Sequence, residues 1–93
     1  MKNYRFSDGI SIVKICGYYL IVSTTATWND VSKIQMVSKT GILGLAMLLD
    51  GMEEKKIIYY LSKLNRQPEE RIRAYFESMI NGLITEGFLV EGV

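Results

Sequence analysis

The sequence predicts an α+β domain with a winged-helix flavour: a three-stranded antiparallel sheet followed by three helices. Three observations predict it. Up to about residue 37 the apolar residues are rich in β-branched and aromatic types, gather in short runs broken by Gly17 and a polar loop, and alternate with polar ones over Lys33–Val37. From residue 38 to residue 86 they recur instead at three- and four-residue spacing. The single proline, Pro68, falls between two helical stretches rather than inside one. With 93 residues the chain is one domain, and 48% apolar residues suffice for a core without staples.

The first strand is read over Gly9–Cys16, with Ile10, Ile12, Lys14 and Cys16 on one face and Ser11, Val13 and Ile15 on the other. Gly17 breaks the run, and Tyr18–Thr24 is the second strand, joined to the first by a tight hairpin. A polar loop around Asn29-Asp30 follows, with Trp28 expected to pin it on the sheet. Lys33–Val37 alternates as a short third strand, Ile34 and Met36 sharing one face, Lys33, Gln35 and Val37 the other. Ser38 is the expected N-cap of a first helix ending near Leu49, apolar nearly all round and therefore central. Gly44 inside it costs roughly 1 kcal/mol against alanine, and Gly51 supplies the left-handed residue that ends it.

The second helix is expected from about Glu53 to Leu64, with Ile57, Ile58, Tyr60, Leu61 and Leu64 as its apolar stripe. Of the neighbours Tyr59 and Tyr60, one ring should turn inward and one outward. Asn65-Arg66-Gln67 is the connector. Pro68 suits the first position of a third helix running to about Glu86, with Glu69 and Glu70 in its first turn. Gly87 closes it, and Phe88-Leu89-Val90 packs back as a short strand or tail.

Residue counts exclude much chemistry. The chain has no histidine and one cysteine, Cys16, so it forms no intrachain disulfide, no imidazole-based triad and no ordinary structural zinc site. No cofactor or metal is called for, and the expectation is a protein that is not an enzyme. A free thiol and a polar start point to the cytoplasm, and no apolar run approaches the ~20 residues a membrane helix needs. Formal net charge is +1, from 11 Lys and Arg against 10 Asp and Glu, so the bulk basic field that attracts nucleic acid is absent. Arg66, Arg71 and Arg73 could meet phosphate in a winged-helix DNA-binding module, the alternative reading, but Glu69, Glu70 and Glu77 surround them.

A three-stranded sheet has two edges. The third strand carries no proline and has Ile34, Met36 and Val37 about its centre, a combination suited to receiving an extended peptide by β-augmentation. An open edge also allows a homodimer. On the third helix Arg71, Tyr75, Ser78 and Gly82 share a flank. Tyr75 and Met79 can line an apolar groove, and Arg71 can pair with a carboxylate.

The stretch Tyr19-Leu20-Ile21-Val22, Thr24, Asp30 and Ile34-Gln35-Met36-Val37-Ser38-Lys39-Thr40-Gly41 resembles the PqqD-like family. Leu48-Leu49-Asp50-Gly51 is similar to that family's first-helix end, and Gly87-Phe88-Leu89-Val90-Glu91 to its closing pattern. The resemblance runs from Gly9 to Glu91. Ser38 stands where the family has Asn, Gly44 interrupts the first helix, and Met52 replaces a Thr or Ser cap. The resemblance implies a recognition element for ribosomally made, post-translationally modified peptides. Such a domain binds the leader of a precursor peptide as an added strand between the third strand and third helix. It presents the precursor to a modifying enzyme such as a radical SAM protein or a leader peptidase. The peptide-binding residues it implies are Lys33, Ile34, Gln35, Met36, Val37, Arg71, Tyr75, Ser78 and Met79.

Overall fold

The structure is a computed structural model that describes residues 3–23 and 34–92. Trp28 and Lys33 lie outside the described residues, as does the loop that carries them. In chain order the elements are β1 (Tyr4–Phe6), β2 (Ile10–Ile15), β3 (Tyr18–Ser23), β4 (Ile34–Val37), α1 (Lys39–Leu49), α2 (Glu54–Asn65), α3 (Glu69–Thr85) and β5 (Leu89–Glu91). The three expected strands are β2, β3 and β4, forming one antiparallel sheet in that order, and the three expected helices follow.

The apolar tail becomes β5, whose partner is β1. Three residues with arginine in the middle gave β1 no readable period, so sequence reasoning passed over it. Its strand state comes from its partner: Tyr4 faces Glu91, Arg5 faces Val90 and Phe6 faces Leu89. Gly92 donates to the Asn3 carbonyl at 2.7 Å, and Ser7 to the Phe88 carbonyl at 2.9 Å, so the chain's two ends are tied together.

The β2–β3 hairpin closes over Cys16 and Gly17, both at positive φ (49° and 83°). That pair of angles is the primed turn whose twist matches the flanking strands. Ile15 and Tyr18 close the loop, and the register continues through Val13 opposite Leu20 to Ile10 opposite Ser23. On the β4 side Val37 faces Tyr19 and Gln35 faces Ile21. Residues opposite one another share a face. Ile10, Ile12, Lys14, Tyr19, Ile21, Gln35 and Val37 are therefore on the helix side, where Ile21 and Val37 are buried. Val13, Ile15, Tyr18, Leu20, Val22, Ile34 and Met36 lie on the outer face.

The core gathers Ile21 and Val37 from the sheet, Leu45 and Leu48 from α1, Ile57, Ile58 and Leu61 from α2, and Ile72, Phe76, Ile80 and Leu83 from α3. Ser38 caps α1 as expected, its hydroxyl accepting the Gly41 amide at 3.2 Å. In α2 the buried stripe is Ile57, Ile58, Leu61 and Ser62. Tyr60 and Leu64, expected in that stripe, are exposed, and so is Tyr59: neither ring turns inward. The stripe settles where two adjacent isoleucines both reach the core, which rotates the tyrosines outward. Glu53 is the N-cap of α2 rather than a first-turn residue. Asn65, expected in the connector, ends α2 instead: its amide donates to the Leu61 carbonyl at 2.8 Å and accepts from the Thr40 hydroxyl at 3.0 Å, tying α1 to α2. Pro68 is the N-cap of α3, one residue earlier than expected, and its carbonyl receives the amides of Arg71 and Ile72. Among the described residues no helix is long and apolar enough to cross a membrane.

Gly44 proves to be a packing requirement rather than a helix defect. A β-carbon there would stand 2.8 Å from the Phe76 ring and 2.9 Å from a Leu61 methyl. Helix propensity alone would make Gly44→Ala stabilising by roughly 1 kcal/mol. Overpacking should win, and a loss of about 1–3 kcal/mol is expected in urea denaturation. An unchanged or raised midpoint would show that α1 has room to move.

Candidate functional site

The site begins with the position of β4. It pairs only with β3 among the described strands, so one of its sides is an edge. Which backbone groups face that edge follows from the hairpin. A two-residue turn is closed by a hydrogen-bonded pair, here Ile15 and Tyr18, and antiparallel pairs alternate from there. Tyr18, Leu20 and Val22 therefore direct their backbone groups to β2, and Tyr19 and Ile21 direct theirs to β4. By the same alternation Val37 and Gln35 bond back to β3. Ile34 and Met36 then turn their N–H and C=O groups outward, two donors and two acceptors at strand spacing.

α3 runs beside this edge. Tyr75, Ser78, Met79 and Gly82 fall three or four residues apart and so share one helical face. Together with Gln35, Met36 and Val37 they line a groove of about 260 Å³. The floor is apolar: Val37 is buried and Met79 half-buried. Tyr75, Ser78 and Met36 stay exposed along the walls. Gly82 leaves one end open, since a β-carbon there would meet nothing within 4 Å. Among the described residues, no lysine, arginine, aspartate or glutamate lines the groove. A larger depression of about 390 Å³ lies at the α2–α3 junction, lined by Tyr59, Ser62, Lys63, Arg66, Gln67, Pro68 and Glu69. It has no strand edge beside it.

Two contacts fix the groove's width. Tyr75 and Ser38 share a hydrogen bond between hydroxyls at 2.6 Å, so the residue that caps α1 also holds the ring on α3. Gly41, in the first turn of α1, lets three groups close around it: a β-carbon there would lie 2.6 Å from the Tyr75 hydroxyl, 2.6 Å from a Val37 methyl and 2.8 Å from the Met79 sulfur.

Six of the nine residues singled out in the sequence meet here: Gln35, Met36, Val37, Tyr75, Ser78 and Met79. Ile34 belongs to the same strand but is not among the residues that line the groove. Arg71 is one turn away on α3 and outside the groove lining, its guanidinium donating to the Gln67 amide oxygen at 3.1 Å. Lys33 is outside the described residues. Sequence reasoning missed Ser38 and Gly41 as parts of the site. Ser38 carried a signal only as a cap, and Gly41 only as a glycine in a first helical turn. Among the described residues no cluster of three or more histidine, cysteine, aspartate or glutamate side chains is placed to hold a metal ion.

The chain matches no family model and no curated protein. Among solved structures it is similar to a lasso peptide synthetase B1 complexed with the leader peptide, with a TM-score of 0.76 at 14% identity over 95% of this chain and 98% of that one. At that identity the likeness is one of fold.

Tyr75→Phe removes one hydroxyl from the α1–α3 link and is expected to cost about 1 kcal/mol. Ser38→Ala loses that link together with the cap and should cost more, and the double variant should fall short of the sum. Additive losses in urea denaturation would mean that the two hydroxyls do not cooperate.

Proposed function

We propose that this chain is a peptide-binding module of PqqD-like type that captures the leader of a ribosomally made precursor peptide and presents it to a modifying enzyme. The observation that carries the proposal is the β4 edge, with the Ile34 and Met36 backbone groups turned outward beside an uncharged groove on α3. An extended leader segment adds there as a fourth strand. Its backbone supplies affinity through the ladder, and alternate side chains enter the groove and supply selectivity. The fold it shares with a lasso peptide synthetase B1 complexed with the leader peptide supports this reading.

In this role the chain catalyses nothing and needs no cofactor. Val37, Tyr75 and Met79 receive the inward side chains of the leader, Ser78 and Gln35 offer hydrogen bonds at the rim, and Met36 supplies the central backbone pair. Methionine suits such a surface because its thioether adapts to differently shaped side chains. The contribution to biosynthesis is a raised local concentration of precursor at an enzyme such as a radical SAM protein or a leader peptidase.

Met36→Pro tests the proposal selectively. Proline is tolerated where a strand N–H faces an open edge but removes the donor an added strand needs. The variant should keep its fold and lose leader affinity by about tenfold or more in a calorimetric titration. Gln35→Pro should instead disrupt the β3–β4 pairing and lower stability. If Met36→Pro bound the leader as tightly as the parent chain, leader capture at this edge would be refuted.

A further inference from the structure

The sheet has a second edge, β2, and it is the barer of the two. β2 is six residues long and pairs with β3 on one side, and no described strand lies on its other side. The alternation set by the hairpin directs the backbone groups of Ser11, Val13 and Ile15 to β3 and those of Ile10, Ile12 and Lys14 outward. No helix covers this strand well on either face. Ile12 on the helix side is 44% exposed, and Val13 and Ile15 on the outer face are 43% and 49% exposed. Proteins ordinarily guard such an edge with proline, charge or a bulge. β2 has no proline, and its register against β3 runs unbroken from Ile10 to Ile15. Its one charge, Lys14, is drawn off the edge: the ammonium lies over the Tyr19 ring on β3, 5.9 Å from its centre.

We propose that β2 is a self-association edge, pairing antiparallel with β2 of a second copy to make one six-stranded sheet across two protomers. The sequence fits its own reverse. With the two-fold axis at Ile12, each Ile12 faces its counterpart, Ile10 faces Lys14 and Ser11 faces Val13. No two charges of one sign meet directly, and the outward backbone groups of Ile10, Ile12 and Lys14 fall opposite one another as hydrogen-bonded pairs. The uncovered isoleucines of the two copies then lie side by side on the helix-facing surface, and the outer faces join into one apolar surface. The β4 edge and its groove lie on the far side of each sheet and stay open, so the dimer carries two peptide sites. The pairing does not depend on what those sites bind.

Analytical ultracentrifugation from about 10 µM to about 1 mM, the range in which a weak edge contact becomes visible, tests the pairing. The parent chain should shift from single-chain mass toward twice that mass as concentration rises. Ile12→Lys and Ile12→Glu each place two like charges across the axis and should stay at single-chain mass. Mixed in equal amounts they should recover a dimer of one copy of each. Circular dichroism melts report whether the variants keep the fold. A parent chain at single-chain mass throughout, or folded variants that fail to associate when mixed, would overturn the proposal.

Discussion

The structure depends on how closely α1 approaches α3 and the end of β4. Two glycines set that distance. At Gly44 the helix backbone lies against Phe76 and Leu61 at the centre of the core, and at Gly41 it lies against Val37, Met79 and the Tyr75 hydroxyl at the core's rim. The two positions are three residues apart and so sit on one face of α1. The same seam that closes the interior continues outward as the inner wall of the groove. A β-carbon at either position would stand less than 3.0 Å from these side chains, so they would have to shift, and at Gly41 the groove would change shape with them.

That coupling explains how a chain of 93 residues combines a core with a surface groove. Val37 and Met79 take part in both, Val37 buried in the core cluster and Met79 packed against it. The Ser38–Tyr75 hydrogen bond carries the same economy to the polar side: one hydroxyl caps α1, orients a groove residue and needs no further partner. Under the proposed function, groove residues held this way would be ordered before a peptide arrives, which lowers the entropy cost of binding.

The sheet's two edges receive different treatment. β4 lies next to α3, which gives its open side a groove lined by Val37, Tyr75, Ser78 and Met79. β2 projects beyond the helices, with side chains exposed on both faces. One turn determines the donor pattern of both, because Cys16 and Gly17 fix the first hydrogen-bonded pair and alternation carries it across three strands.

Much of this was legible in the residues. The two-faced pattern over 10–15, the aromatic and β-branched content of 18–23, the Ser38 cap, the Asp50-Gly51 stop and Gly87 placed the strands and helix ends because each is a local preference of the chain itself. The flank of Arg71, Tyr75, Ser78 and Gly82 followed from helical spacing, and three of its four residues line the groove. Other features have no local cause. β1 is a strand only because β5 offers it partners, so three residues around Arg5 could not reveal it. The outward rotation of Tyr59 and Tyr60 was set by what α2 meets in the core. Gly44 looked like a cost until Phe76 and Leu61 stood beside it. The sequence by itself determined β2, β3, β4 and the three helices, and which of their residues share a face, since both depend on neighbours along the chain. The tertiary structure decided which edge has a groove, how wide it is and which backbone groups face it, since those depend on contacts between residues about forty positions apart.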